Sequence, residues 1–263
     1  MPTLTTNHHE FFYRERGDGP AALFIHGFPL DSTMWLEQID LLSDTRRCIA
    51  PDLRGFGRSS PTLRTSLTME GHADDLAAII GTLGTGPVDL VGLSMGGYVA
   101  LAFAGLYPDL VRTLALIDTR STQDPPATRD GRTAATARVA NEGRGGFATD
   151  MLGVLVADGA TDWTRARLRT MIETAPVESI VAALDGMKGR PDRTPVLASL
   201  DVPVGVIVGE HDALTPLVDA DHMAAAAGAA LTVVPDAGHM SPIERPRAVA
   251  DALRTLWGAV PVD

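Results

Sequence analysis

Short apolar runs rich in valine and isoleucine alternate along the chain with longer runs of helical periodicity, punctuated by glycine and proline. The pattern predicts strands over 11–17, 21–27, 47–52, 88–93, 114–118, 202–209 and 231–237. Helices are predicted near 33–43, 72–84, 95–106, 216–227 and 246–257. The unbroken apolar character of runs such as VDLVGL and VPVGVIVG suits strands buried on both faces, as in a mostly parallel sheet covered by helices. Gly17-Asp18-Gly19-Pro20 predicts the turn between the first two strands. Thr215-Pro216 reads as an N-cap followed by proline in the first helical position. Ser241-Pro242-Ile243-Glu244 has capping-box spacing and predicts a helical turn starting just after His239.

The alternation breaks between 120 and 195. Helix-like segments at 130–142, 145–157, 162–173 and 176–187 follow one another there with no strand between them. A stretch of roughly seventy residues is too long for one crossover. The expected organisation is an α/β core made of 1–119 and 196–263, with a helical cap inserted as 120–195.

Composition narrows the function. Of 263 residues, 45% are hydrophobic and 21% charged, which excludes a disordered or fibrous chain. Acidic residues outnumber basic ones 33 to 22, for a formal charge of -11, and such a surface repels phosphate backbones and anionic bilayers. Neither a nucleic acid nor a membrane is expected as a partner. Cys48 is the single cysteine, so an intrachain disulfide and a cysteine-based metal site are excluded. No HExxH pattern and no nucleotide-binding glycine loop occurs. The first twenty residues lack a basic start followed by an apolar stretch, and no apolar run reaches membrane-spanning length, so a cytoplasmic location is expected.

The chemistry centres on Gly92-Leu93-Ser94-Met95-Gly96, directly after a predicted strand and directly before a predicted helix. In that context G-x-S-x-G describes a sharp turn that exposes a serine hydroxyl on strained backbone. The two glycines make room where strand and helix approach. The alternative is an ordinary Gly/Ser turn. A serine hydroxyl needs a base, and the base needs an orienting acid. Asp212 and His239 follow later strands, in the chain order Ser, Asp, His that the elbow-bearing sheet requires. Asp118, at the end of the strand after the elbow, is a rival acid, and Asp52 a weaker one. His211 reads as a flanking residue; His8, His9, His72 and His222 read as solvated or locally bonded.

Ile25-His26-Gly27-Phe28-Pro29, the segment from Pro51 to Ser59, the GLSMGG elbow, the GEHD turn and the AGHM turn together resemble the α/β-hydrolase superfamily. HGFPLDSTMW and PDLRGFGRS look most like the 3-oxoadipate enol-lactonase, small-esterase and cofactor-free haloperoxidase group. The resemblance implies an oxyanion hole built from the backbone N–H groups of Phe28 and Met95, with His26 shaping the loop. Trp35 and Met95 are assigned to the pocket wall, core packing being the alternative for each. Such a triad needs an acyl substrate and water alone, so neither metal nor cofactor is expected. An arginine of the Arg165, Arg167, Arg169 cluster facing inward would hold a substrate carboxylate; a solvated helix face is the alternative.

The reading is a serine hydrolase of small carboxylic esters or lactones. Peroxide attack on the same acyl-enzyme and carbon–carbon bond hydrolysis remain open as reactions. A small-molecule receptor on the same fold, binding without turnover, remains open as a different class.

Overall fold

The computed structural model describes residues 2–258. Its strands are β1 (Thr3–Thr6), β2 (His9–Arg16), β3 (Ala21–Ile25), β4 (Arg47–Pro51), β5 (Val88–Leu93), β6 (Val111–Ile117), β7 (Val204–Gly209) and β8 (Ala230–Val234). They form one sheet in the order β1-β2-β4-β3-β5-β6-β7-β8. β1 and β2 are antiparallel to their neighbours; from β4 to β8 every pairing is parallel. β3 and β5 are buried at every residue, which is why their sequences are continuously apolar instead of alternating. β1 was not predicted: its Thr-rich run is short, half exposed, and exists as a strand only by pairing with β2.

The helices are α1 (Leu36–Leu42), entered through a 3-10 turn at Ser32–Trp35, then α2 (Met69–Leu83), α3 (Met95–Leu106), α4 (Pro126–Glu142), α5 (Arg144–Leu155), α6 (Asp162–Thr174), α7 (Val177–Lys188), α8 (Thr194–Ser199), α9 (Leu217–Ala227), α10 (Ser241–Glu244) and α11 (Pro246–Gly258). α2 shows what sets such boundaries. Thr68 caps its start by accepting from the Gly71 N–H at 3.1 Å, and Gly84 ends it in the left-handed region at φ 61. α11 buries Val249, Ala250, Leu253 and Trp257, one stripe of an otherwise polar helix. α2, α3, α8 and α9 pack in one row, α1 and α11 in another. α3 is buried along ten of its residues.

Between β6 and β7 the chain makes α4 to α8 without a strand. α4 packs on α7 and α5 on α6. Two polar ties hold this helical block to core helices α1 and α10. Arg167 pairs with Glu37 at 2.5 Å, and the Glu244 carboxylate accepts from the Ala157 N–H at 2.9 Å. Cys48 is buried in β4, where burial pushes its thiol up to about 12, out of reach of thiolate chemistry. Among the described residues no helix is long and apolar enough to cross a membrane.

Candidate active site

The carboxyl ends of β5, β6, β7 and β8 bring four sequence-singled residues close together. Ser94 follows β5 with φ 54 and ψ -116, a backbone conformation that disfavours any side chain. Tertiary bonds hold it there: its N–H donates to the Ile117 carbonyl at 3.0 Å, and the Thr119 hydroxyl donates to its carbonyl at 2.8 Å. A Cβ on Gly92 would run into the Gly96 carbonyl, and one on Gly96 into the Ile25 carbonyl. Gly92→Ala is therefore expected to destabilise the fold by about 1–3 kcal/mol or more, seen as a fall of several degrees in Tm. An unchanged Tm would show that the turn relaxes around an added methyl.

His239 lies in the turn after β8, and its Nδ1–H donates to Asp212 Oδ2 at 2.9 Å. Both side chains are shielded from solvent. Asp212 also accepts from the Leu214 N–H at 2.8 Å, the Thr215 N–H at 3.0 Å and the Thr215 hydroxyl at 2.6 Å. Thr215 was read as a helix cap, but its hydroxyl is spent on the carboxylate and α9 starts two residues later. Burial works against charge on both members of the pair. Their mutual attraction outweighs it, holding Asp212 below its ordinary value and His239 above its own. Asp118 adds to the rise at His239, and Arg120 opposes it.

Asp118 faces elsewhere. One oxygen accepts from the Gly209 N–H at 2.7 Å and the other from the Ser241 hydroxyl at 2.5 Å, so its carboxyl ties the loop of Asp212 to the loop of His239. Burial and the nearby Asp212 charge push it up to about 8. Asp52 holds the Ser32 and Arg58 N–H groups at 2.7 and 2.8 Å. His26 accepts from the Leu53 N–H at Nε2, 3.0 Å, and meets the Gly27 carbonyl at Nδ1, 2.9 Å, which fixes a neutral ring in the loop before Phe28. His72, expected to be solvated or locally bonded, is buried in α2 with neither ring nitrogen paired among the described residues; burial brings it down to about 3.

Ser94 and His239 line one cavity of about 420 Å³, with Phe28 on its wall. Among the described residues no hydrogen bond joins Ser94 to His239, a separation usual before a substrate closes the site. The N–H groups of Phe28 and Met95 have no acceptor among the described residues. Met95 opens α3, where the first helical N–H groups lack intrahelical partners, and its side chain is buried in the core. Trp35 does not reach the cavity: the 3-10 turn sends its ring inward against Phe24, centroids 5.3 Å apart, and it is wholly buried. Arg165, Arg167 and Arg169 also lie away from it. They bind the Ala157 and Asp158 carbonyls, Glu37 and Glu173 respectively.

Besides Ser94, His239 and Thr215, the polar residues that line it are Tyr98, Arg120, Asp124, Thr128 and Arg132, beside apolar side chains from α4, α5 and α7. None carried a sequence signal. Asp124 sits in the irregular polar stretch before α4 and Arg132 in the second turn of that helix, with no apolar periodicity to show which way they point. Glu210, His211 and Asp236 bring metal-type ligand atoms within 4.8 Å of one another, but all three are exposed and none lines the cavity.

The model of a family described as the alpha/beta hydrolase fold matches residues 20–246. A thermophilic esterase from Thermogutta terrifontis, solved with malate bound, is similar with a TM-score of 0.92 and 41% identity, covering 98% of this chain and 96% of that one. An enol-lactonase from Burkholderia xenovorans LB400 is similar at a TM-score of 0.87 and 26% identity, covering 98% of this chain and 100% of the other. A non-heme chloroperoxidase of Kitasatospora aureofaciens is 28% identical over 237 residues, 82% of this chain and 83% of its own. Several further curated relatives are longer, and the chain spans only 36–62% of their length.

Proposed function

The chain belongs to the alpha/beta hydrolase fold family, and from that premise we propose that it is a serine hydrolase cleaving small carboxylic esters or lactones through an acyl-enzyme. The observation that carries the reading is the buried Asp212–His239 pair, whose imidazole lines one cavity with a serine held at positive φ. In the proposed reaction Ser94 attacks the substrate carbonyl while His239 takes its proton. Asp212 keeps the imidazole in the tautomer that can accept it. The N–H groups of Phe28 and Met95 face the developing oxyanion, each donor being worth about 10²- to 10³-fold in rate. His239 then protonates the leaving oxygen, and water activated by the same histidine releases the acid. The block α4 to α7 serves as a lid over the serine.

Similarity to an esterase over nearly the full length of both chains supports ester chemistry. Pre-steady-state kinetics with p-nitrophenyl acetate and butyrate test it. A burst of one nitrophenolate per enzyme, with an acyl adduct in the intact mass, is expected; a wild-type enzyme giving neither would overturn the reading and point to a binding protein. The pH profile follows from the site. The base must be neutral, so kcat/KM falls as pH drops through the His239 pKa, which its acid partner holds above the ordinary histidine value of about 6.5. An acidic limb inflecting clearly below that value would contradict the pairing.

Similarity to a non-heme chloroperoxidase supports a second reading at the same site, in which hydrogen peroxide replaces water and the acyl-enzyme yields a peracid. Turnover of acetate with and without peroxide separates the two.

A further inference from the structure

Ser241-Pro242-Ile243-Glu244 has capping-box spacing, but its hydroxyl and its carboxylate serve partners beyond α10. The Ser241 N–H and hydroxyl both go to Asp118, at 3.3 and 2.5 Å. Glu244 Oε1 accepts from the Gly238 N–H at 3.0 Å, and its Oε2 accepts from the Ala157 N–H at 2.9 Å. The Met240 N–H adds to the hold on the same carboxylate. Gly238 and Met240 flank His239, so one side chain grips the backbone on both sides of the histidine. Ala157 belongs to a different part of the chain, the residue after the C-cap of α5.

The turn of His239 is also enclosed by backbone. A Cβ on Gly238 would run into the backbone of Val156 and Ala157, and one on Gly209 into the carbonyls of Ala237 and Gly238. The end of β7 therefore lies against one side of the turn and the end of α5 against the other. The α5 side is anchored in its turn: Arg165 of α6 donates to the Ala157 and Asp158 carbonyls at 3.0 and 3.2 Å. Burying a carboxylate costs free energy unless its oxygens are matched, and both oxygens of Glu244 are.

We propose that Glu244 is a positioning residue for His239, clamping the turn that carries the imidazole against the end of α5. This rests on the hydrolase reading for what the imidazole does. Asp212 orients the ring through Nδ1. Glu244 fixes where the backbone beneath the ring stands, and with it the approach of Nε2 to Ser94. A misplacement of about 1 Å at a reacting group costs about 100-fold in rate.

The test compares wild type, Glu244→Ala and Glu244→Gln by kcat, KM and pH profile on p-nitrophenyl butyrate, beside thermal melts. Glu244→Ala is expected to lower kcat about 10- to 100-fold with KM within about threefold, since the loss falls on the base and not on the cavity. Its acidic limb is expected to move down toward the ordinary histidine value of about 6.5, as the loosened ring loses its contact with Asp212. Beyond burial, the proton affinity of the ring is set chiefly by Asp212, Asp118 and Arg120, so the lost Glu244 charge does not account for that move. Glu244→Gln keeps an acceptor for one N–H and is expected to fall between the two. Either a kcat within about threefold of wild type or an unmoved limb in Glu244→Ala overturns the proposal, whatever the Tm. So does an equal movement of the limb in the two variants, which would report lost charge. Should Glu244→Ala not fold, Glu244→Gln decides: wild-type kcat and limb there overturn the clamp. NMR titration of the His239 ring, assigned by its absence in His239→Gln, gives the same readout without substrate. If no ester is turned over, the hydrolase reading fails on its own. A ring pKa lowered in Glu244→Ala then still supports the clamp, and an unchanged one overturns it.

Discussion

Ser94→Ala is expected to lower kcat on p-nitrophenyl esters by about 10⁴-fold or more and to abolish the burst. The expectation follows from the division of labour in the proposed site. Without Oγ no acyl-enzyme forms, and what remains is the oxyanion donors and the cavity acting on bulk water. The change removes one oxygen that makes no protein hydrogen bond among the described residues, so little stability should be lost. The variant keeps its β-carbon at φ 54 and the backbone bonds to Ile117 and Thr119. A thermal melt within a few degrees of wild type, together with lost turnover, separates lost chemistry from lost folding. Retained turnover on these esters would move the nucleophile elsewhere.

The second large effect is expected at Asp212. Asp212→Asn should lower kcat by about 10⁴-fold, the range seen when a triad acid becomes an amide. Asp212 Oδ1 accepts from the Leu214 and Thr215 N–H groups, and an asparagine oxygen would go on doing so. The amide nitrogen would then take the place of Oδ2, presenting a donor to His239 Nδ1. That favours the ring with its proton on Nε2, where it cannot accept one from Ser94. Asp118→Asn makes the control. Burial holds the Asp118 carboxyl well above the ordinary carboxylate range, so its amide removes less charge than an amide at Asp212 would. It bonds Gly209 and Ser241, not His239. A loss below about tenfold is expected there. The reverse ranking of the two variants would assign the acid to Asp118.

Much of this architecture was legible because it is written in local chemistry. Continuous apolar runs identify β3, β5 and β7, since a parallel strand covered on both faces has no polar side to show. The elbow was legible for a steric reason: only glycine fits at 92 and 96 beside the carbonyls of Gly96 and Ile25. The helical segments between β6 and β7 stood out by length alone, although α8 was missed because six residues are too few to show a period. Asp212 and His239 were legible from their places after strands. Thr215, the hydroxyl that steadies the carboxylate, was hidden by resembling an N-cap.

By itself, then, the sequence determined the alternation that builds the sheet, the turn that strains Ser94, and the order of the residues at the strand ends. These depend on neighbours within a few positions, where backbone sterics and burial act directly. Only the tertiary structure decided which side chains meet across the cavity. It turned Trp35 into the core, sent Arg165, Arg167 and Arg169 to other partners, and brought Arg132 and Arg190 onto one buried carboxylate. A long charged side chain has no preferred direction until packing closes the alternatives. Its partner is set by which helices stack, and no periodicity along the chain records that.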